Sequence, residues 1–324
     1  MDRISTIMED HSCILTDGAI LERLKRAGAV TLHPLLANAA LVYSAAGRRA
    51  LRDLHRGYLD IGHKYNLPML TFTETWRANA QRVAASDLRG RDVNGDCVRF
   101  LLDIVKEYGD YKSKVLIAGL IGCHGDAYRP EEALSSDEAT EFHRWQVDAL
   151  SGAGVDLLVA ATIPSCSEAL GMARAMAGSG TPYVVSFVLS RTGRLLDGTP
   201  LGEAISEIDS LVTPPPQLFM ANCCYPSFLR AGLEDMKRHN PQCLHRIVGH
   251  QANASPLDAD TLDHLDRVDA EEPQALADLM LDLHMHFGIR ILGGCCGTDD
   301  RHIAAIAERI TSNESVQATR SPRA

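Results

Sequence analysis

Eight short apolar segments, most of them with β-branched residues, recur along the chain, at 13–19, 68–75, 115–122, 155–163, 183–190, 217–224, 246–253 and 289–297. Longer segments with apolar residues three and four apart separate them, at 137–151, 167–177, 201–211, 228–238, 273–287 and 299–310. This alternation constrains the fold strongly, because strands that alternate with crossover helices lie parallel, and eight parallel strands close on themselves. The pattern predicts a single (β/α)8 TIM barrel over residues 1–312, followed by a flexible polar C-terminal tail at 313–324.

Details of the pattern refine that expectation. The segment 33–66 is too long for one crossover helix, so the first βα connection carries extra helices. In the helix at 137–151, Phe142, Trp145, Ala149 and Leu150 mark the inward face, and Ser136-Asp137 reads as the cap. Pro214-Pro215-Pro216 is a stiff approach to the sixth strand, and the acidic run 258–272 reads as a solvated loop with a helical turn.

In a parallel barrel the reactive groups sit at the C-terminal strand ends. Those ends carry Asp17, Thr73-Glu74-Thr75, Gly122, Thr162, Ser186, Cys223, Asn253 and the run Gly293-Gly294-Cys295-Cys296-Gly297-Thr298. Adjacent cysteines between glycines make a poor core and a good metal site, and the pair Cys223-Cys224 can supply a third sulfur. Three thiolates on zinc leave one coordination position for chemistry. The sixth and eighth strands are two spacings of about 4.8 Å apart, so the glycines must turn the backbone for the sulfurs to meet.

Composition narrows the class of partner. Nine cysteines in 324 residues, without the basic and apolar regions of a secretory signal, fit reduced thiols in a cytoplasmic protein better than a disulfide framework. A net charge of −10 and the lack of a long Lys/Arg run argue against nucleic acid or an anionic membrane, and no segment has the apolar length to span a bilayer. A small-molecule partner is expected.

The run 289–298, with His302-Ile303, resembles the C-terminal signature of the homocysteine S-methyltransferase family. The resemblance covers most of the chain: Asp17-Gly18-Ala19, Phe142-His143 with Gln146, Leu150, Gly154 and Asp156, Ala161-Thr162-Ile163-Pro164 with Glu168, Asp197-Gly198 with Leu201, Asn222-Cys223 with Pro226, and Asn253-Ala254 follow in order. It implies a zinc (Zn2+) enzyme that moves a methyl group from a sulfonium, ammonium or folate donor to the thiol of homocysteine or a related small thiol. By that resemblance Cys223, Cys295 and Cys296 are the metal ligands and catalytic centre, Cys224 is a packing residue, and Asp17, Thr162, Asn222 and Asn253 face the substrate; Glu74, where the family more often has a neutral residue, is expected to join them.

Two departures stand out. Ala161 replaces a glutamate that in the family holds the amino group of homocysteine, and Glu74 is expected to supply the missing carboxylate. Leu21-Glu22 replaces the family's Gly-Thr. These changes keep two alternatives open: a demethylase that uses a different thiol, and a barrel that binds zinc or senses redox state without turnover. Trp76 and Tyr225 are candidates for an aromatic cradle around a cationic donor, His124 for a substrate or supporting role, and His284 and His286 lie at the opposite end of the barrel.

Overall fold

The computed structural model describes residues 2–258, 261–262 and 269–320, with side chains to 314. Eight strands form a closed parallel barrel in sequence order: β1 (Ile14–Thr16), β2 (Met69–Phe72), β3 (Val115–Ile121), β4 (Leu157–Ile163), β5 (Tyr183–Phe187), β6 (Leu218–Cys224), β7 (Ile247–Ala252) and β8 (Ile291–Gly294). Closure is made where Ile14 and Leu15 of β1 register with Ile291 and Leu292 of β8. Strand residues divide by the period of two: Ile14, Leu70, Leu116, Leu157, Val184 and Ile291 fill the barrel, while Leu15, Met69, Ile117, Leu158, Val185 and Leu292 pack against the helices.

Helix α1 (Arg3–Asp10) was not expected from the sequence. Its buried Ile4 and Ile7 join the apolar cluster inside the barrel and seal the end where the strands begin. The first βα connection carries α2 (Leu21–Ala27), a 3-10 turn (Asn38–Tyr43) and the long α3 (Ala45–Tyr65), so the expected extra helices are present. The second connection holds α4 (Ala80–Ala85) and α5 (Val93–Lys106). The remaining crossovers are α6 (Ser136–Gly152), α7 (Cys166–Ala177), α8 (Leu201–Leu211), α9 (Pro226–His239), α10 (Pro273–Phe287) and α11 (Asp300–Arg320).

Two local expectations change. On α6 the buried face is Ala139, His143, Gln146, Val147 and Leu150, while Trp145 is exposed; the cap is Ser135, which forms a capping box with Glu138. The inward stripe therefore contains two polar residues that find partners inside, which hydrophobic periodicity alone does not reveal. Helix α11 runs on to Arg320, ten residues past its expected end and into the segment assigned to the tail. Most of the acidic run 258–272 lies outside the described residues.

Gly293 shows how closely β8 and β1 approach. A Cβ there would lie 1.9 Å from Thr16 Oγ1 and 3.0 Å from the Thr16 carbonyl oxygen. Gly293→Ala is expected to cost about 2–3 kcal/mol, read as a lowered urea midpoint at unchanged m-value.

Candidate metal centre

Regular alternation along β6 would put Cys224 on the inner face and Cys223 outside, since Leu218 and Met220 point inward. The opposite occurs. Between Asn222 and Cys224 the register on β7 slips, with Asn222 opposite Gln251 and Cys224 opposite Ala252, so Cys223 is an inserted residue with a left-handed φ of 55°. This bulge re-aims the Cys223 side chain, and Cys224 packs in the outer core. Strand β4 repeats the device at Thr162, with φ of 63° inside a register shift between Ala160 and Ile163.

Left-handed backbone costs about 1–3 kcal/mol at such residues and persists only where the surroundings over-determine it. Asn222 does so here. Its Oδ1 accepts from the Thr162 amide at 2.9 Å and from Ser186 Oγ at 2.7 Å, and its Nδ2 donates to Thr162 Oγ1 at 2.7 Å.

The β8 cysteines lie just beyond the strand. The Cys295 amide donates to the Ala252 carbonyl at 2.7 Å, Thr298 Oγ1 donates to the Cys295 carbonyl, and Gly297 turns the chain at a φ of 80°. Asn253, at the end of β7, ties both cysteine segments together: its Nδ2 donates to the Cys223 carbonyl at 3.0 Å and its Oδ1 accepts from the Cys296 amide at 3.1 Å. The gap between β6 and β8 is thus bridged by the strand between them.

The result is a cluster of three sulfurs. Sγ of Cys223 lies 3.2 Å from that of Cys295 and 3.6 Å from that of Cys296, and the three atoms fall within 4.8 Å of one another. A tetrahedral site with Zn–S bonds of about 2.3 Å has sulfurs about 3.8 Å apart, whereas a disulfide needs about 2.05 Å. The spacing fits a shared ion, with Cys223 buried and Cys295 and Cys296 partly buried. Hydrogen bonds from Cys295 and Cys296 hold the Cys223 thiol well below its ordinary range. The other two are pushed up, first by the hydrogen bonds they make to Cys223, then by burial and by the charge beside them.

Two residues that the sequence did not single out as site groups support this cluster. The Tyr128 hydroxyl, from the loop between β3 and α6, lies 3.2 Å from Cys223 Sγ. Glu22, noted only as a departure, accepts the Gly297 amide at 2.5 Å and pairs with Arg26. Nothing in the local pattern around Tyr128 marks it.

Asp17 and Glu74 sit at the ends of β1 and β2, each buried and joined through His55 of α3. Asp17 Oδ2 accepts from Thr71 Oγ1 at 2.7 Å and the Phe72 amide at 3.1 Å, and Glu74 Oε1 is hydrogen-bonded to His55 Nε2. Burial pushes the Asp17 carboxyl up to about 6 despite the opposing charge of His55. Asp17 Oδ1 and Glu74 Oε2 are buried without a hydrogen-bond partner. Such orphaned atoms are costly unless something else completes them.

The other candidates are occupied elsewhere. Trp76 Nε1 donates to the Ala161 carbonyl at 3.2 Å and its ring lies under the Arg77 guanidinium at 4.1 Å. The Tyr225 hydroxyl bonds Glu271 at 2.6 Å. The His124 ring packs edge-on against Phe142, and His284 and His286 lie on α10 bonded to backbone carbonyls. Among the described residues, Cys223, Cys295 and Cys296 form the one group of His, Cys, Asp or Glu with metal-ligand spacing.

The profile of the family described as homocysteine S-methyltransferase matches residues 14–310. The chain belongs to this family. It is therefore a methyltransferase. It is 25% identical to homocysteine S-methyltransferase YbgG of Bacillus subtilis, over 95% of this chain and 97% of that one. Betaine–homocysteine S-methyltransferase 1 of Mus musculus is 26% identical, over 92% of this chain and 72% of its own length. In fold, the chain matches the metallated form of the Escherichia coli homocysteine methyltransferase MmuM with a TM-score of 0.76, at 23% identity, over 95% of this chain and all of that one. No helix among the described residues is long and apolar enough to cross a membrane.

Proposed function

We propose that the chain is a zinc-dependent S-methyltransferase that moves a methyl group from a sulfonium or ammonium donor to the thiol of homocysteine or a related small thiol. The observation that carries this reading is the convergence of three sulfurs from two distant segments at a spacing close to that around one tetrahedral ion. Family membership and the names of the relatives support the reaction class.

Cys223, Cys295 and Cys296 would hold the ion. A zinc ion held there supplies the means to keep an incoming thiol deprotonated at neutral pH. Asn222, Asn253 and Thr162 spend their side-chain polar atoms on one another and on the cysteine backbone, so we assign them to positioning the sulfurs rather than to gripping substrate. In the transfer the acceptor sulfur bonds the donor's methyl carbon in line, and the bond to the onium atom breaks with its electron pair. A neutral thioether or amine leaves.

Asp17 and Glu74 are the candidates for the acceptor's ammonium group, because each keeps one unpartnered buried oxygen. With alanine at 161, Glu74 would supply the second carboxylate. Glu74→Gln is expected to raise the acceptor KM about tenfold or more at unchanged metal content, checked by steady-state kinetics and elemental analysis. Unchanged kinetics would remove Glu74 from the site.

The whole reading is tested by measuring metal content and screening onium donors against homocysteine and other thiols. About one zinc per chain with methyl transfer supports it. Stoichiometric zinc without turnover on any pair favours a binding or sensing barrel, and turnover confined to another thiol favours a demethylating role.

A further inference from the structure

A cationic methyl donor must bring its onium centre close to an acceptor sulfur held at the three cysteines. In a site that excludes water, a cation is stabilised by an aromatic face within about 6 Å of the ring centroid. Trp76 already carries Arg77 over its ring, and Tyr225 is bonded to Glu271 and packed edge-on against Phe228. Tyr128 is placed differently.

Its hydroxyl lies 3.2 Å from Cys223 Sγ, and the residue is half-buried. No cation or second ring lies against the Tyr128 face among the described residues. A phenol spans about 3 Å from oxygen to ring centre, so the ring lies close beside Cys223 Sγ, on the scale over which a cation and an aromatic face attract. The ring is also fixed in advance. The Tyr128 amide donates to Asp126 Oδ1 at 2.9 Å, the Asp126 amide donates to Glu132 Oε2 at 2.9 Å, and Arg77 holds the Gly125 carbonyl at 2.7 Å.

We propose that Tyr128 recognises the onium centre of the methyl donor, its ring meeting the cation while its hydroxyl stays on Cys223. The proposal rests on the methyltransferase function set out above and names a specificity-determining residue for it.

The test is calorimetric binding to the zinc-loaded full-length protein. The probes are trimethylammoniopropanoate and its neutral tert-butyl analogue, and dimethylsulfoniopropanoate and its neutral isopropyl analogue. The parent should prefer at least one onium over its neutral isostere by about tenfold or more. Tyr128→Phe, which keeps a ring, should retain that preference within about threefold, and Tyr128→Leu and Tyr128→Met should abolish it. The acceptor KM should be alike, within about twofold, in the phenylalanine, leucine and methionine variants, since all three lose the hydroxyl on Cys223 and the ring is assigned to the donor. A parent without the preference overturns the proposal, and so does a leucine or methionine variant that keeps it. If the parent transfers methyl groups while those variants keep the preference, Tyr128 alone is removed; a parent that neither binds nor turns over any onium removes the function as well.

Discussion

Cys296→Ser should reduce bound zinc from about one per chain to less than about a tenth of that, and methyl transfer by about a thousandfold or more. Two remaining sulfurs and a weakly coordinating hydroxyl do not replace three thiolates, and the affinity of such a site depends on every ligand. The informative control is Cys224→Ala. Cys224 is adjacent in sequence to a proposed ligand, yet the bulge at Cys223 leaves it in the outer core. Its replacement should leave the zinc content at the parent level. Elemental analysis of both proteins, with turnover on the same donor and acceptor, decides the matter; equal zinc in the Cys296 variant and its parent would dismantle the assignment.

Asn253→Ala should weaken zinc binding about 10–100-fold, the usual cost of losing a group that orients metal ligands. Asn253 joins the Cys223 carbonyl to the Cys296 amide, so its removal frees two ligand segments to move independently. Asn253→Asp retains an acceptor for the Cys296 amide and loses the donor to the Cys223 carbonyl, and should fall between alanine and parent. Competition with a chromophoric chelator measures the affinities. A substrate-gripping asparagine would instead raise the acceptor KM at constant zinc affinity, and that outcome would overturn the positioning role.

The barrel was legible in the sequence because each strand is a short, mostly apolar run between segments of helical period. The sulfur cluster was legible through Gly293-Gly294-Cys295-Cys296-Gly297. The choice of Cys223 over Cys224 was not readable from alternation, which points to the wrong neighbour; the resemblance supplied it, and the inserted residue at the strand end explains it. Asn222 and Asn253 were picked out as site residues, but their partners lie 30 to 60 positions away, so nothing local showed that they spend their polar groups on backbone and neighbours. Helix α1 and Tyr128 escaped notice for a related reason: their importance comes from what they pack against, not from the residues beside them.

The N-terminal helix has a consequence for traffic through the molecule. Strand side chains pack the barrel interior and Ile4 and Ile7 cap its floor, so no path for reactants runs along its axis. Whatever reacts at the three sulfurs must therefore arrive and leave on the side of the C-terminal strand ends, where they lie.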